Sequence, residues 1–258
     1  MTPSSSILEM RRRSVWEAAD SGILLWRDNF LYFIPVFAAP VWIIASALMF
    51  IPDDFRWVSW FGLWWLKPLF ERFCLQVVAV RFFRNNPDAG LFNDPDSLSS
   101  SWGFRRILKG LLANIFSYLP GDLLWRRLSP FRPATMCLRL LERPKPGLYK
   151  ERKKVLASGG LNFSALLSCI GPSLELILLG GEIVFTIIIL EIFFPHIPWV
   201  MRINSLNFLL FVYIAYCFNY ILVGSLYVCM GFGIYINSRT TVEGWDIELL
   251  FRKFSEKK

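Results

Sequence analysis

The chain has 258 residues, of which 55% are apolar, only 19% charged and 17% aromatic, with a mean hydropathy of +0.44 and a formal charge of +8. A soluble domain carries about a quarter charged residues, so this composition excludes an ordinary water-soluble globule. The positive balance has no nucleic-acid recognition motif beside it, which argues against nucleic-acid binding, and it suits basic segments held against an anionic membrane surface.

The first 28 residues do not read as a signal peptide, because Arg11, Arg12 and Arg13 are followed by Glu17 and Asp20 before any long apolar core. Val15, Trp16, Ala19, Ile23 and Trp26 recur at helical spacing. They predict an amphipathic helix that either lies on the membrane surface or packs on the rest of the protein. Asn29 to Pro52 is then uncharged for 24 residues, enough for a first span, with Pro35 and Pro40 expected to bend it. A short acidic turn, Asp53-Asp54, leads to a second apolar stretch from Trp57 to Val80. This stretch is interrupted by Lys67-Pro68 and Glu71-Arg72, and ionisable groups at membrane depth are expected to face protein or water. Lys67 and Glu71 are four residues apart and so can meet on one helix face.

Residues 81 to 154 form a long basic segment with 15 basic and 6 acidic residues. Both of its flanks are basic, which predicts a cytoplasmic loop and a cytoplasmic N-terminus. Within it Phe104, Leu108, Leu111, Ile115 and Leu119 follow the capping serines Ser99 to Ser101. These predict a helix that rests at the lipid interface or packs beneath the bundle. Between Lys154 and Arg202 the formal charges are Glu175, Glu182 and Glu191. Glu175 and Glu182 share a helix face, and Lys67 and Arg72 are their candidate partners. Gly171-Pro172 and Gly180-Gly181 are candidate kinks. His196 lies in a short Pro-flanked turn and reads as a surface residue.

The last apolar run, Ile203 to Ser238, is 36 residues long, more than a bilayer core needs, and is expected to tilt or to break at Gly224-Ser225. Thr240 and Glu243 match a capping box, with Thr240 starting a new surface helix whose stripe is Ile247, Leu250, Phe251 and Phe254. Arg239 alternatively pairs with Glu243. Arg239, Glu243, Trp245, Asp246 and Glu248, in the segment 239–258, are the candidate cytoplasmic docking residues. The five cysteines show no CxxC or Cys/His spacing, so free thiols and no structural metal are expected.

Three stretches resemble landmarks of a family of bacterial inner-membrane proteins without an assigned activity. They are Phe61 to Arg72, Arg127-Leu-Ser-Pro130, and Tyr235 to Leu249. Members of that family are often encoded beside MoxR-type AAA ATPases, von Willebrand A domain proteins and transglutaminase-like proteins. The ending is also similar to membrane domains attached to glycerophosphodiester phosphodiesterases, although nothing here resembles their catalytic domain. The landmarks spread over roughly Trp16 to Phe254, and Gly224-Ser225 stands where the family pattern has a Glu-Pro pair. The resemblance implies a partner complex associated with a MoxR-type ATPase and a location in the bacterial inner membrane; the basic flanks of the loop and an even number of crossings leave both termini cytoplasmic.

Together these readings predict an all-α polytopic bundle of four to six transmembrane segments with amphipathic interfacial helices, forming one integral membrane domain. The leading functional expectation is a non-enzymatic component that anchors or scaffolds an envelope-associated complex and touches anionic lipid, with no cofactor. The alternative is a small transporter or lipid-handling protein that uses Lys67, Glu71, Arg72, Glu175 and Glu182. An enzyme is the weakest reading, since GxSxG, HExxH and P-loop motifs are missing from the sequence.

Overall fold

A computed structural model describes residues 13–52, 55–85, 121, 124, 129–142, 144, 147–193 and 206–243. Among these residues there are seven α-helices and no strand. They are α1 (Val15–Asp28), α2 (Phe30–Leu48), α3 (Arg56–Asn85), α4 (Arg132–Cys137), α5 (Tyr149–Ser158), α6 (Ser164–Phe193) and α7 (Leu206–Glu243). A π-helical turn, Leu138–Glu142, prolongs α4, and a 3-10 turn, Leu161–Phe163, precedes α6.

The long helix α7 is the axis on which the other elements pack. Its sequence is apolar all round, which suits a helix enclosed by others or by lipid. Its 38 residues would extend about 57 Å. The expected break at Gly224-Ser225 does not occur: α7 runs unbroken through both residues, and Ser225 Oγ donates to the Leu222 carbonyl at 3.0 Å.

The register of each neighbour follows from side-chain contacts. Helix α1 runs antiparallel to α7, from Arg13, whose N–H donates to Asn237 Oδ1 at 3.0 Å, to Trp26, whose indole N–H donates to Ser225 Oγ at 2.8 Å. Helix α2 is also antiparallel: Phe37 lies beside Tyr220, and the Tyr213 hydroxyl donates to the Ala45 carbonyl at 3.2 Å. Helix α3 runs parallel to α7, with Trp60 on Tyr213, the Tyr220 hydroxyl on the Lys67 carbonyl, and Phe82 on Phe232. Helix α6 is antiparallel again, from Ser168 beside Tyr227 to Glu182 beside Asn219.

Helices α1 and α7 approach each other closely. A Cβ on Gly22 would fall 2.5 Å from the Cys229 carbonyl oxygen, and one on Gly233 would fall 2.5 Å from that of Ala18. The buried face of α1 is accordingly Ala18, Ala19, Ser21, Gly22 and Leu25. This corrects the amphipathic stripe expected from the sequence: α1 packs on the protein through its small residues, while Trp16 and Ile23 are exposed. Small side chains win this contact because they let two backbones approach and multiply van der Waals contacts.

Among the described residues three helical stretches are long and apolar enough to cross a membrane: Phe30–Leu48, Leu161–Phe193 and Phe208–Val242. The expectation of four to six such segments is therefore met only in part. Helix α3 has the length but carries Lys67, Glu71 and Arg72 along it. Pro35 and Pro40 lie inside α2, Pro68 inside α3 and Pro172 inside α6, and each helix continues past them.

The basic segment 81–154 is also not a simple loop. Helix α3 continues to Asn85, with Arg81 donating to Asn29 Oδ1 at 3.1 Å and stacking its guanidinium over the Tyr32 ring. Residues 132–142 and 149–158 are helical and pack on α7, burying Ala134, Met136, Cys137, Leu138, Leu140 and Leu156. The apolar residues between the arginines drive this burial, since about 0.8 kcal/mol is gained for each methylene removed from water. The helix expected at Phe104 to Leu119, and His196, lie outside the described residues.

Candidate functional site

Two polar clusters sit against α7, one midway along it and one at its basic end. The midway cluster gathers the charges that the sequence places inside its apolar stretches. Lys67 on α3 binds both carboxylate oxygens of Glu175 on α6, at 2.5 and 2.6 Å. Its ammonium also lies 5.2 Å from the centroid of the Tyr220 ring, and the hydroxyl of that tyrosine donates to the Lys67 backbone carbonyl at 3.1 Å. An ammonium over an aromatic face gains from the ring quadrupole, so three helices converge on one cation.

One turn further along α3, Glu71 is 1% exposed at its side chain and pairs with Arg132 at the first position of α4. The expected pairing of Lys67 with Glu71 along one helix face is therefore corrected: each reaches a different helix. A charge in a low-dielectric interior is costly unless a partner and hydrogen bonds offset it, and a partner on a neighbouring helix also fixes packing. Arg72 is buried beside them, and it is not the partner of Glu175. Glu182 takes a neutral partner instead of Lys67 or Arg72, accepting from the Asn219 amide at 2.8 Å.

The cluster at the basic end is centred on Glu142, in the π-helical turn. Its two oxygens accept from Tyr235 at 2.8 Å and from Arg152 at 2.6 Å, and Arg239 lies 3.4 Å away. Arg239 donates in turn to the Tyr235 hydroxyl at 3.4 Å and stacks near its ring. Glu142 thus ties α5 and the turn after α4 to the last turns of α7. Nearby, Arg139 stacks on the Tyr149 ring and donates to its hydroxyl at 3.2 Å.

This geometry corrects the reading of the C-terminal motif. Thr240 does not cap a new helix: it lies within α7 and its hydroxyl donates to the Ile236 carbonyl at 3.0 Å, the backward bond of a threonine inside a helix. Arg239 points to Glu142, and its side chain is only 12% exposed; Glu243 ends α7, and its side chain, with the alternative pairing to Arg239, lies outside what is described. A side chain so enclosed joins internal elements. Trp245, Asp246 and Glu248, with the stripe from Ile247 to Phe254, lie outside the described residues.

Sequence reasoning missed Glu142. The available signal was a single carboxylate between Arg139 and Arg143 in a strongly basic stretch, a place where an acidic residue has several cations to satisfy.

Elsewhere, a cavity of about 260 Å³ lies at the end of the bundle opposite the basic helices, lined by Met49, Trp57, Ser59, Trp60, Leu209, Leu210 and Tyr213. The Ser59 hydroxyl is already committed to the Leu48 carbonyl at 2.6 Å. Among the described residues no group of three or more His, Cys, Asp or Glu is placed to hold a metal ion. Burial raises the Cys137 thiol well above its ordinary pKa, which keeps it protonated and unreactive.

No family model, curated protein or solved structure matches the chain.

Proposed function

We propose that this protein is a non-enzymatic component of the bacterial inner membrane that anchors or scaffolds an envelope-associated complex, with a MoxR-type ATPase-associated assembly as its protein partner. The observation that carries the reading is the Glu142 cluster. Through Tyr235, Arg239 and Arg152 it fastens the basic helices to the longest membrane-compatible helix, so a load on one is transmitted to the other. A scaffold needs that coupling; an isolated basic tail would not provide it.

In this proposal α3 is a fourth crossing in which Lys67 is paired with Glu175 and Glu71 with Arg132 within the bundle. The alternating directions of α2, α3, α6 and α7 agree with four crossings. The basic residues of α4 and α5 support a cytoplasmic location for that end, and for both termini, against anionic lipid. Lys150 and Lys154 on α5 are exposed and available there. A photo-crosslinker at either position, in native membranes, is expected to capture the ATPase-associated partner. Adducts to lipid without any protein would remove the scaffold reading.

A transport or lipid-handling role is the second reading, favoured by the Lys67–Glu175 pair at membrane depth. It expects Glu175→Gln with Glu182→Gln to abolish a transport or lipid phenotype at normal expression, and wild-type behaviour of that variant counts against it.

A further inference from the structure

Helix α6 is built differently on the two sides of Pro172. Its buried residues are Ser164, Leu167 and Gly171, all before the proline. That base is closely fitted: a Cβ on Gly171 would lie 2.9 Å from the Tyr227 ring, and the Ser168 hydroxyl donates to the Pro130 carbonyl at 2.6 Å. Beyond Pro172, by contrast, no residue of α6 is fully buried, and Leu176, Ile177, Phe185, Ile192 and Phe193 are each more than 60% exposed. A Cβ added at Gly180 or Gly181 would meet no atom within 4 Å.

What fixes the position of this distal arm depends on the solvent. In water the apolar face of α6 would be pressed onto α7 by the hydrophobic effect. In lipid that force is missing, because acyl chains cover an apolar face as well as another helix does, and only packing and polar contacts decide. Packing on the arm is shallow, so the polar contacts set its place. Two of these, among the described residues, are Glu175 to Lys67 on α3 and Glu182 to Asn219 on α7. Apart from the first of them, α3 and α6 scarcely touch. Pro172, which lacks the N–H that would close the preceding helical turn, supplies a point where bending is least opposed.

We propose that the part of α6 beyond Pro172 is a hinged arm, latched to α3 by the Lys67–Glu175 ion pair and to α7 by the Glu182–Asn219 hydrogen bond, and that unlatching swings it sideways into the bilayer and opens a cleft between α3 and α6. The cleft floor is polar and aromatic, with Lys67, Tyr220 and Asn219. An ion pair is suited to a latch, because a buried pair adds little net stability over an apolar contact yet holds a defined geometry while both charges are present. The arm of about 20 residues is about 30 Å long, so a swing of about 10° moves its tip by about 5 Å.

Spin labels carried on non-canonical residues at Ile188 and Phe61 report the distal separation of α6 and α3 in the full chain, reconstituted in lipid. A second pair at Leu166 and Leu148 reports the base. The unsubstituted latch is expected to give a narrow distal distribution. Lys67→Met with Glu175→Leu, which removes both charges together, is expected to lengthen and broaden it by about 5 Å while the base stays unchanged. Glu182→Leu with Asn219→Leu is expected to do the same more weakly, and the swap Lys67→Glu with Glu175→Lys to restore the narrow distribution. An unchanged distal distribution in either latch variant that reaches the membrane overturns the proposal. So does equal broadening at the base, which would mean general loosening.

Discussion

Tyr235 donates its phenolic hydrogen to Oε1 of Glu142 at 2.8 Å, across 93 residues of sequence. The same carboxylate oxygen faces Arg239, one helical turn beyond Tyr235, and the other takes Arg152. One acidic side chain therefore holds three donors from two helices. Replacing Glu142 with Leu leaves Arg239 and Arg152 without it and is expected to destabilise the basic end by about 2 kcal/mol, within the range for hydrogen bonds to charged groups. Proteolysis of detergent-solubilised protein checks this: cleavage within Tyr149–Ser158 should accelerate before the rest of the chain is cut.

The Lys67–Glu175 pair gives a sharper test of energetics. Lys67→Met alone leaves a carboxylate enclosed without its cation and is expected to cost about 3 kcal/mol. The double substitution with Glu175→Leu removes both charges and is expected to recover most of that loss. Unfolding of the two single variants and the double variant, in one detergent, measures the coupling. A double variant as unstable as the sum of its parts would show that the pair contributes nothing beyond its separate side chains.

Glycines in this protein should differ greatly in tolerance. Gly22→Ala places a methyl group 2.5 Å from a backbone oxygen of α7, so α1 and α7 must separate. A lowered melting temperature is expected, with a loss of about 2 kcal/mol. Gly180→Ala meets nothing within 4 Å and should be neutral or stabilising by about 0.5 to 1 kcal/mol, the helix-propensity gain of alanine. Parallel melting curves of the two variants test the contrast.

Cysteine reactivity should follow burial. Cys169 is exposed, whereas Cys74, Cys137, Cys217 and Cys229 are buried. At Cys137 burial also raises the thiol pKa, so little thiolate forms near neutral pH. Maleimide treatment of the folded protein is expected to add one label, at Cys169, and denaturant to expose the other four. Mass spectrometry of the intact chain reads the count directly.

The sequence carries much of the fold, and the reasons are local. Uncharged runs of membrane length are visible because every residue in them must tolerate lipid, and α2, α6 and α7 coincide with them. The charged interruptions were equally visible, and Lys67 does pair with Glu175. The π-helical turn, the continuous helix through Thr240 and the packing of residues 132–142 and 149–158 were not legible. Thr240 and Glu243 fit a capping box by spacing alone, but spacing says nothing about whether the preceding helix stops. It continues because Ser238 and Thr240 are buried against the rest of the protein, with Ser238 donating to the Gly159 carbonyl at 3.1 Å.

By itself, then, the sequence determined the solvent of this protein, the stretches able to cross it and the few ionisable residues that had to find partners within the apolar parts of the chain. Only the tertiary structure decided which partner each one found. Glu71 takes Arg132 and not Lys67, Glu182 takes Asn219, and Arg239 takes Glu142. The physical reason is that helix periodicity fixes which residues share a face, while the rotation and register between two helices are set by close packing. At the α1–α7 contact that packing is decided by Gly22 and Gly233, two residues with no side chain to announce it.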